Sequence, residues 1–189
     1  MREQPKAQDA IEAKKPEMET MVNPQVTVAE IAWLAGIWDG EGSITVHRNV
    51  KISQYSPRIS MVNTNPFILQ RVCEILDKSG IHYCMRERGL GGFEGSRRQC
   101  WIISIDTLAH CSRFINLCES YLVGKIGQAK LQKRFIDSRL KRMSGVKRNS
   151  DAPYNQEELD ALADLINLNG NQRESSEAIR SSLCRPLTH

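Results

Sequence analysis

Two carboxylates close a run of small and apolar residues, Leu34-Ala35-Gly36-Ile37-Trp38-Asp39-Gly40-Glu41-Gly42. Asp39 and Glu41 follow a stretch that reads as the end of a helix, where unpaired carbonyls already concentrate negative charge. Acids there are unfavourable unless a cation or a hydrogen-bond donor answers them. Oxygen ligands of this kind suit a hard divalent ion, and such an ion activates water and neutralises charge when a phosphodiester is hydrolysed. Gly36 and Gly40 lie one turn apart and strip one stripe of the helix of bulk, so another helix can approach it closely. The segment predicts a helix pair that carries carboxylates to its lower end.

The elements around this segment follow from capping, periodicity and turn signals. Thr27 and Glu30 form a capping box, after which Val28, Ile31, Leu34, Ala35 and Trp38 fall on one helical face. From Ser43 to Val50 the residues alternate, placing Ile44, Val46 and Arg48 on one side and Thr45, His47 and Asn49 on the other. A second strand is expected at about Arg58 to Asn63, with Ile59 and Met61 inward and Arg58 and Ser60 outward. Asn65 and Pro66 start a helix through Leu76 that stops at Gly80. A third strand over Ile81 to Arg88 and a fourth near Arg97 to Ile105 flank the turn GLGGFEG. Asp106 is expected to cap a helix to about Glu119, and another helix runs from Gln128 to about Met143. Two amphipathic helices, Tyr154 to Leu168 and around Glu174 to Leu183, complete the chain.

The order helix, two strands, helix, two strands, helices implies an α+β fold: a four-stranded antiparallel sheet covered by helices on one face. Residues 1–26 read as a flexible extension, 27–143 as the core and 144–189 as a C-terminal helical subdomain. The uncovered sheet face would be rich in Arg, Asn, His, Ser and Gln, groups that read base edges in a DNA major groove. Candidates on it are Thr45, His47, Asn49, Arg58, Ser60, Arg86, Arg88, Arg97, Arg98 and Gln99, with Arg86 and Arg88 foremost.

Charge agrees with a polyanionic partner. The chain has 189 residues and a formal net charge of +4, and that total hides a strong asymmetry. Residues 1–26 carry −1, 27–150 carry +9 and 151–189 carry −4. A basic middle attracts nucleic acid through counterion release, although a solvated basic surface has the same composition. Lys130, Lys133, Arg134, Arg139, Lys141 and Arg142 could touch phosphates or form the wet side of a helix. No apolar run is of membrane-spanning length and the N-terminus lacks a secretory h-region, so an intracellular protein is expected, in a bacterial or phage-host cytoplasm or an organelle. The six cysteines contain no CxxC pair, which favours reduced and mostly buried thiols.

At residues 34–42 the chain resembles the LAGLIDADG homing endonucleases, with Ile, Trp, Gly and Glu at the fourth, fifth, seventh and eighth motif positions. The resemblance covers roughly residues 27–143, and the C-terminal helices are similar to those of the single-motif, homodimeric, chloroplast-intron branch. It implies the αββαββα core and a sequence-specific double-strand DNA endonuclease that is intron-encoded and mobile. It also implies that Glu41 and the Gly40 carbonyl hold Mg2+, with Mn2+ or Ca2+ able to substitute for binding. Asn63 and Lys125 stand where members carry a solvent-network amide and a catalytic lysine, while Phe67 occupies the neighbourhood of an expected arginine. One motif per chain supplies one such acid, so a two-fold homodimer is expected, with Leu34, Ala35, Gly36, Trp38, Asp39 and Gly40 at its interface. Its target would be long and pseudo-palindromic. An intron RNA-binding maturase, or a cleavage-inactive DNA-binding protein of the same fold, is the alternative.

Overall fold

The computed structural model describes residues 25–49, 54–88, 99–143 and 153–170. The elements run α1 (Val28–Glu41), β1 (Gly42–Asn49), β2 (Gln54–Asn63), α2 (Pro66–Lys78), β3 (Cys84–Arg88), β4 (Cys100–Ile105), α3 (Leu108–Cys118), a 3-10 turn (Glu119–Tyr121), α4 (Ile126–Met143) and α5 (Gln156–Leu168). The order of helices and strand pairs is the expected one. The expected helix around Glu174 to Leu183, the turn GLGGFEG and most of the N-terminal extension lie outside the described residues.

All four strands form one antiparallel sheet in the order β1-β2-β4-β3. Register fixes which side chains share a face, because alternate residues point to opposite sides. Ile44 opposes Ile59, which opposes Ile105, and Met61 opposes Ile103; all five are buried under the helices. Thr45 opposes Arg58, His47 opposes Ser56 and Arg86 opposes Ile102 on the uncovered side. β2 begins four residues earlier than the sequence suggests. Pro57 sits within it without breaking a ladder, because β4 pairs only with Ile59–Asn63 and the proline nitrogen owes no bond on that side.

The core joins α1, the inner sheet face, α2, α3 and α4. Trp38 anchors it, fully buried, its ring centroid 4.7 Å from that of Phe114. Gly42 is dictated by this tryptophan: a Cβ there would lie 2.2 Å from Trp38 Cδ1. Thr27 and Glu30 form the expected capping box, and Glu30 also pairs with Lys78 at 2.8 Å and Arg71 at 3.0 Å, tying α1 to α2. The cap of α3 is Thr107, whose side chain accepts from His110 N–H, and not Asp106. Gly80 terminates α2 at φ +60°, a conformation that favours glycine.

α5 packs on α4 and β1 through buried polar contacts as well as apolar ones. The Tyr154 hydroxyl accepts from Tyr55 N–H at 2.7 Å and donates to Tyr55 O at 3.1 Å. Arg139, buried on α4, stacks 4.7 Å from the Tyr154 ring centre and pairs with fully buried Glu158 at 3.4 Å. Glu158 takes Arg142 as well, at 2.8 Å. These pairs remove Arg139 and Arg142 from the basic set expected to meet phosphates. Lys133 with Asp137 and Arg134 with Glu157 are also paired, more loosely, at the surface. The cysteines divide: Cys111 and Cys118 are buried, their thiols pushed up by burial, while Cys84 is exposed and Cys73 and Cys100 lie between.

Candidate functional site

The two acids at the end of α1 have different fates. Asp39 is answered within the chain by the loop before α4: its carboxylate accepts from Val123 N–H at 2.7 Å and Lys125 N–H at 2.9 Å. Burial alone would raise this carboxyl, but the backbone donors of Val123, Lys125 and Gly124 outweigh it and hold its pKa below the ordinary value. The Lys125 ammonium donates to the Asp39 carbonyl, satisfying an orphan of the helix end. Glu41 is exposed and makes no hydrogen bond or ion pair with any described residue. A carboxylate at the negative end of a helix with no donor to answer it fits a cation, and the Gly40 carbonyl adds a second hard oxygen beside it.

Sequence-predicted site residues converge here from three elements. Lys125 reaches the α1 terminus through its bonds to Asp39. Gly42 opposes Met61, so Asn63, two residues further along β2, lies beside the α1–β1 junction. The Asn63 side-chain oxygen is occupied as an acceptor for Asn65 N–H at 2.8 Å, leaving its amide NH2 as the available group. No group of three or more Asp, Glu, His or Cys residues able to hold a metal occurs among the described residues. Among the described residues Glu41 is thus a lone unanswered carboxylate at this helix end.

The predicted interface residues separate into two sets. Leu34, Ala35 and Trp38 are fully buried in the chain's own core and present no surface to a partner. The Asp39 carboxylate is turned to its own chain's loop. Gly36 and Gly40 are exposed, and a Cβ on either would meet nothing within 4 Å. The same face of α1 carries Ala29, Ala32 and Trp33, also exposed. The sequence reading does not single these three out, although Trp33, Ala32 and Ala29 lie three, four and seven residues before Gly36 and so fall on its stripe.

On the uncovered sheet face, strand parity holds for Thr45, His47, Asn49, Arg58, Ser60, Arg86 and Arg88. Arg86 and Arg88 are exposed and form no ion pair with a described residue. Ser43, Gln54 and Ser56 share the face and were missed, the last two because the start of β2 was set too late. Gln99 is corrected: it borders a cleft with Thr64, Asn65, Pro66 and Trp101, off the outward rows. Arg97 and Arg98 lie outside the described residues.

Residues 29–118, from α1 through α3, match the model of the LAGLIDADG-like domain family. No curated protein matches the chain. Among solved structures, the homing endonuclease I-CvuI, bound to the I-CreI target in 2 mM Mg with the DNA not cleaved, superposes with a TM-score of 0.58. It is 20% identical over 82% of this chain and 92% of its own. I-CvuI with its own target in 2 mM Ca gives the same values. The group I intron-encoded homing endonuclease I-CeuI, complexed with DNA, gives a TM-score of 0.59 at 16% identity, over 84% of this chain and 78% of its own. The fold is that of these proteins.

Proposed function

We propose that this chain, with its LAGLIDADG-like domain over residues 29–118, is a homodimeric, divalent-metal-dependent, sequence-specific double-strand DNA endonuclease of an intron-encoded mobile element. The observation that carries the reading is Glu41: exposed and unanswered at the end of a helix whose flank of Ala29, Ala32, Trp33, Gly36 and Gly40 is apolar and exposed, with open space at both glycines. Two such helices packed along Gly36 and Gly40 bring two Glu41 carboxylates together and complete what one chain holds only in half.

In this reading Glu41 and the Gly40 carbonyl hold Mg2+, an ion of the kind that oxygen donors favour. When bound, the ion supplies an activated water and neutralises charge on the phosphate. Asp39 fixes the Lys125 loop against the helix end, so the Lys125 ammonium stands ready near the scissile phosphate. The Asn63 amide orders solvent beside it. Arg58, Arg86, Arg88 and the polar residues around them lie along the major groove and select the sequence.

Cleavage of a randomised duplex library in Mg2+, by the parent and by Glu41→Gln, tests the proposal. The parent should yield a long, partly palindromic set of cut sites. The variant should lose cutting by at least about a hundredfold, the scale on which removing one charge-stabilising group slows catalysis, while still binding. Equal cutting by both proteins would refute the metal assignment. A parent that binds duplex without cutting would be a DNA-binding protein, and one that prefers folded intron RNA would be a maturase.

A further inference from the structure

An acid stands where a DNA-facing surface should avoid one. Asp106 follows Ile105 at the end of β4, and by parity its side chain shares the uncovered face with Ser104 and Arg58. One of its oxygens accepts from Arg58 Nε at 2.5 Å and the other from Ser104 Oγ at 2.8 Å. Both partners are only partly exposed, Arg58 at 27% and Asp106 at 40%. A negative charge here repels phosphates, so its presence calls for a local role.

The geometry of the arginine supplies one. Asp106 engages Nε, the side of the guanidinium, and no described residue bonds the two Nη groups at its end. Those four remaining N–H donors form a planar fork, the shape that meets guanine O6 and N7 together. The strand beneath is fixed as well. Buried Gln132 on α4 donates through Nε2 to the carbonyls of Thr45, at 2.5 Å, and Arg58, at 3.3 Å. A side chain held at Nε, on a backbone held from the opposite face, loses little freedom when it binds.

Building on the DNA-binding reading above, we propose that Asp106 is a positioning residue for sequence recognition: it pins Arg58 through Nε and aims the Nη fork at one guanine in each half-site. Arg86 and Arg88 have no such buttress among the described residues, so the sharpest base preference belongs to Arg58.

The test is a binding selection from a randomised duplex library with the full chain, which requires no cutting. Arg58→Gln should move the preference at one base pair from guanine towards adenine, because a glutamine amide matches adenine N6 and N7. Asp106→Ala should reduce guanine preference at that same base pair by about tenfold, while affinity for arbitrary duplex at low salt rises as the acid is lost. Asp106→Asn keeps an acceptor for Nε and should retain most of the preference. A merely structural aspartate would weaken all sequences alike with preferences unchanged, and that result overturns the proposal. So does a loss of preference at a base pair other than the one Arg58 controls. A parent that selects sequence but never cuts removes the nuclease reading and leaves this pair standing. A parent with no preference at any base pair removes both.

Discussion

The two faces of α1 are both apolar, yet only one is explained by the chain that contains it. On the inner face Leu34, Ala35 and Trp38 are fully buried, and the Trp38 indole packs on Phe114 and over Gly42. On the outer face Ala29, Ala32, Trp33, Gly36 and Gly40 are exposed, with open space beyond both glycines. A helix apolar on all sides is one that gets buried on all sides. The glycines of a single motif thus answer different demands. Gly42 makes room for a side chain of its own chain, whereas Gly36 and Gly40 face open space, which a second copy fills in the proposal above.

The strongest way to break this contrast is at its inner anchor. Trp38→Ala should cost about 3–5 kcal/mol, the range for truncating a large buried aromatic, and denaturant unfolding would show it. The buried Trp38 Nε1–H has no acceptor among the described residues, so Trp38→Phe should cost much less than the alanine variant. Gly42→Ala comes next. Its methyl would fall on the indole, and overpacking at a site with nowhere to yield costs about 1–3 kcal/mol. Neither change touches the outer face, so a stability loss that depends on protein concentration would contradict the division.

Gly36→Ala should act in the opposite direction within one chain. Replacing an interior helical glycine at an open position gains about 1 kcal/mol of helix propensity, so the monomer's thermal midpoint should rise. Self-association measured by sedimentation should weaken at the same time, because the added methyl fills the groove between packed helices. An alanine variant that is more stable and associates as tightly as the parent would show that the outer stripe has another use.

What the sequence disclosed, and what it withheld, divides along similar lines. Periodicity and caps disclosed the element order, the sheet parity and the position of Glu41, because those signals are local: Thr27 with Glu30, Asn65 with Pro66, the alternation from Ser43 onward. Lys125 and Asn63 came from resemblance, and the coordinates bring both to the end of α1. Readings that depended on a long-range partner failed. Arg139 is basic in sequence and indistinguishable there from Lys130, yet Glu158, nineteen residues away, draws it into the interior. Asp106 looked like a helix cap by spacing, and its actual partner, Arg58, lies on a different strand. The resemblance assigns Leu34, Ala35 and Trp38 to a partner, yet the spacing of three, four and seven that joins them to Ile31 marks the inner face, while Val28, expected on that face, is 65% exposed. The motif carried both sets of residues in one run, and only helical phase separates them.

The smallest expected effect concerns the link between the inner face of α1 and α2. Glu30 is nearly buried, and its carboxyl is lowered from an ordinary 4.5 to about 2, first by the hydrogen bond from Lys78 and then by Thr27 N–H, against the opposing effect of burial. Because the folded value lies below the unfolded one, the ionised carboxylate stabilises the fold fully above about pH 4.5. That contribution declines as the pH falls from 4.5 towards 2, where the folded group takes up its proton. Glu30→Gln should therefore lower stability at neutral pH and flatten the pH dependence across that interval, since glutamine keeps a cap acceptor but has no charge to lose. Paired melting curves of parent and variant should converge as acid is added. Curves that stay parallel from pH 7 down to 2 would mean that Lys78 and Arg71 contribute nothing through this carboxylate, and that α1 is held to α2 by apolar packing alone.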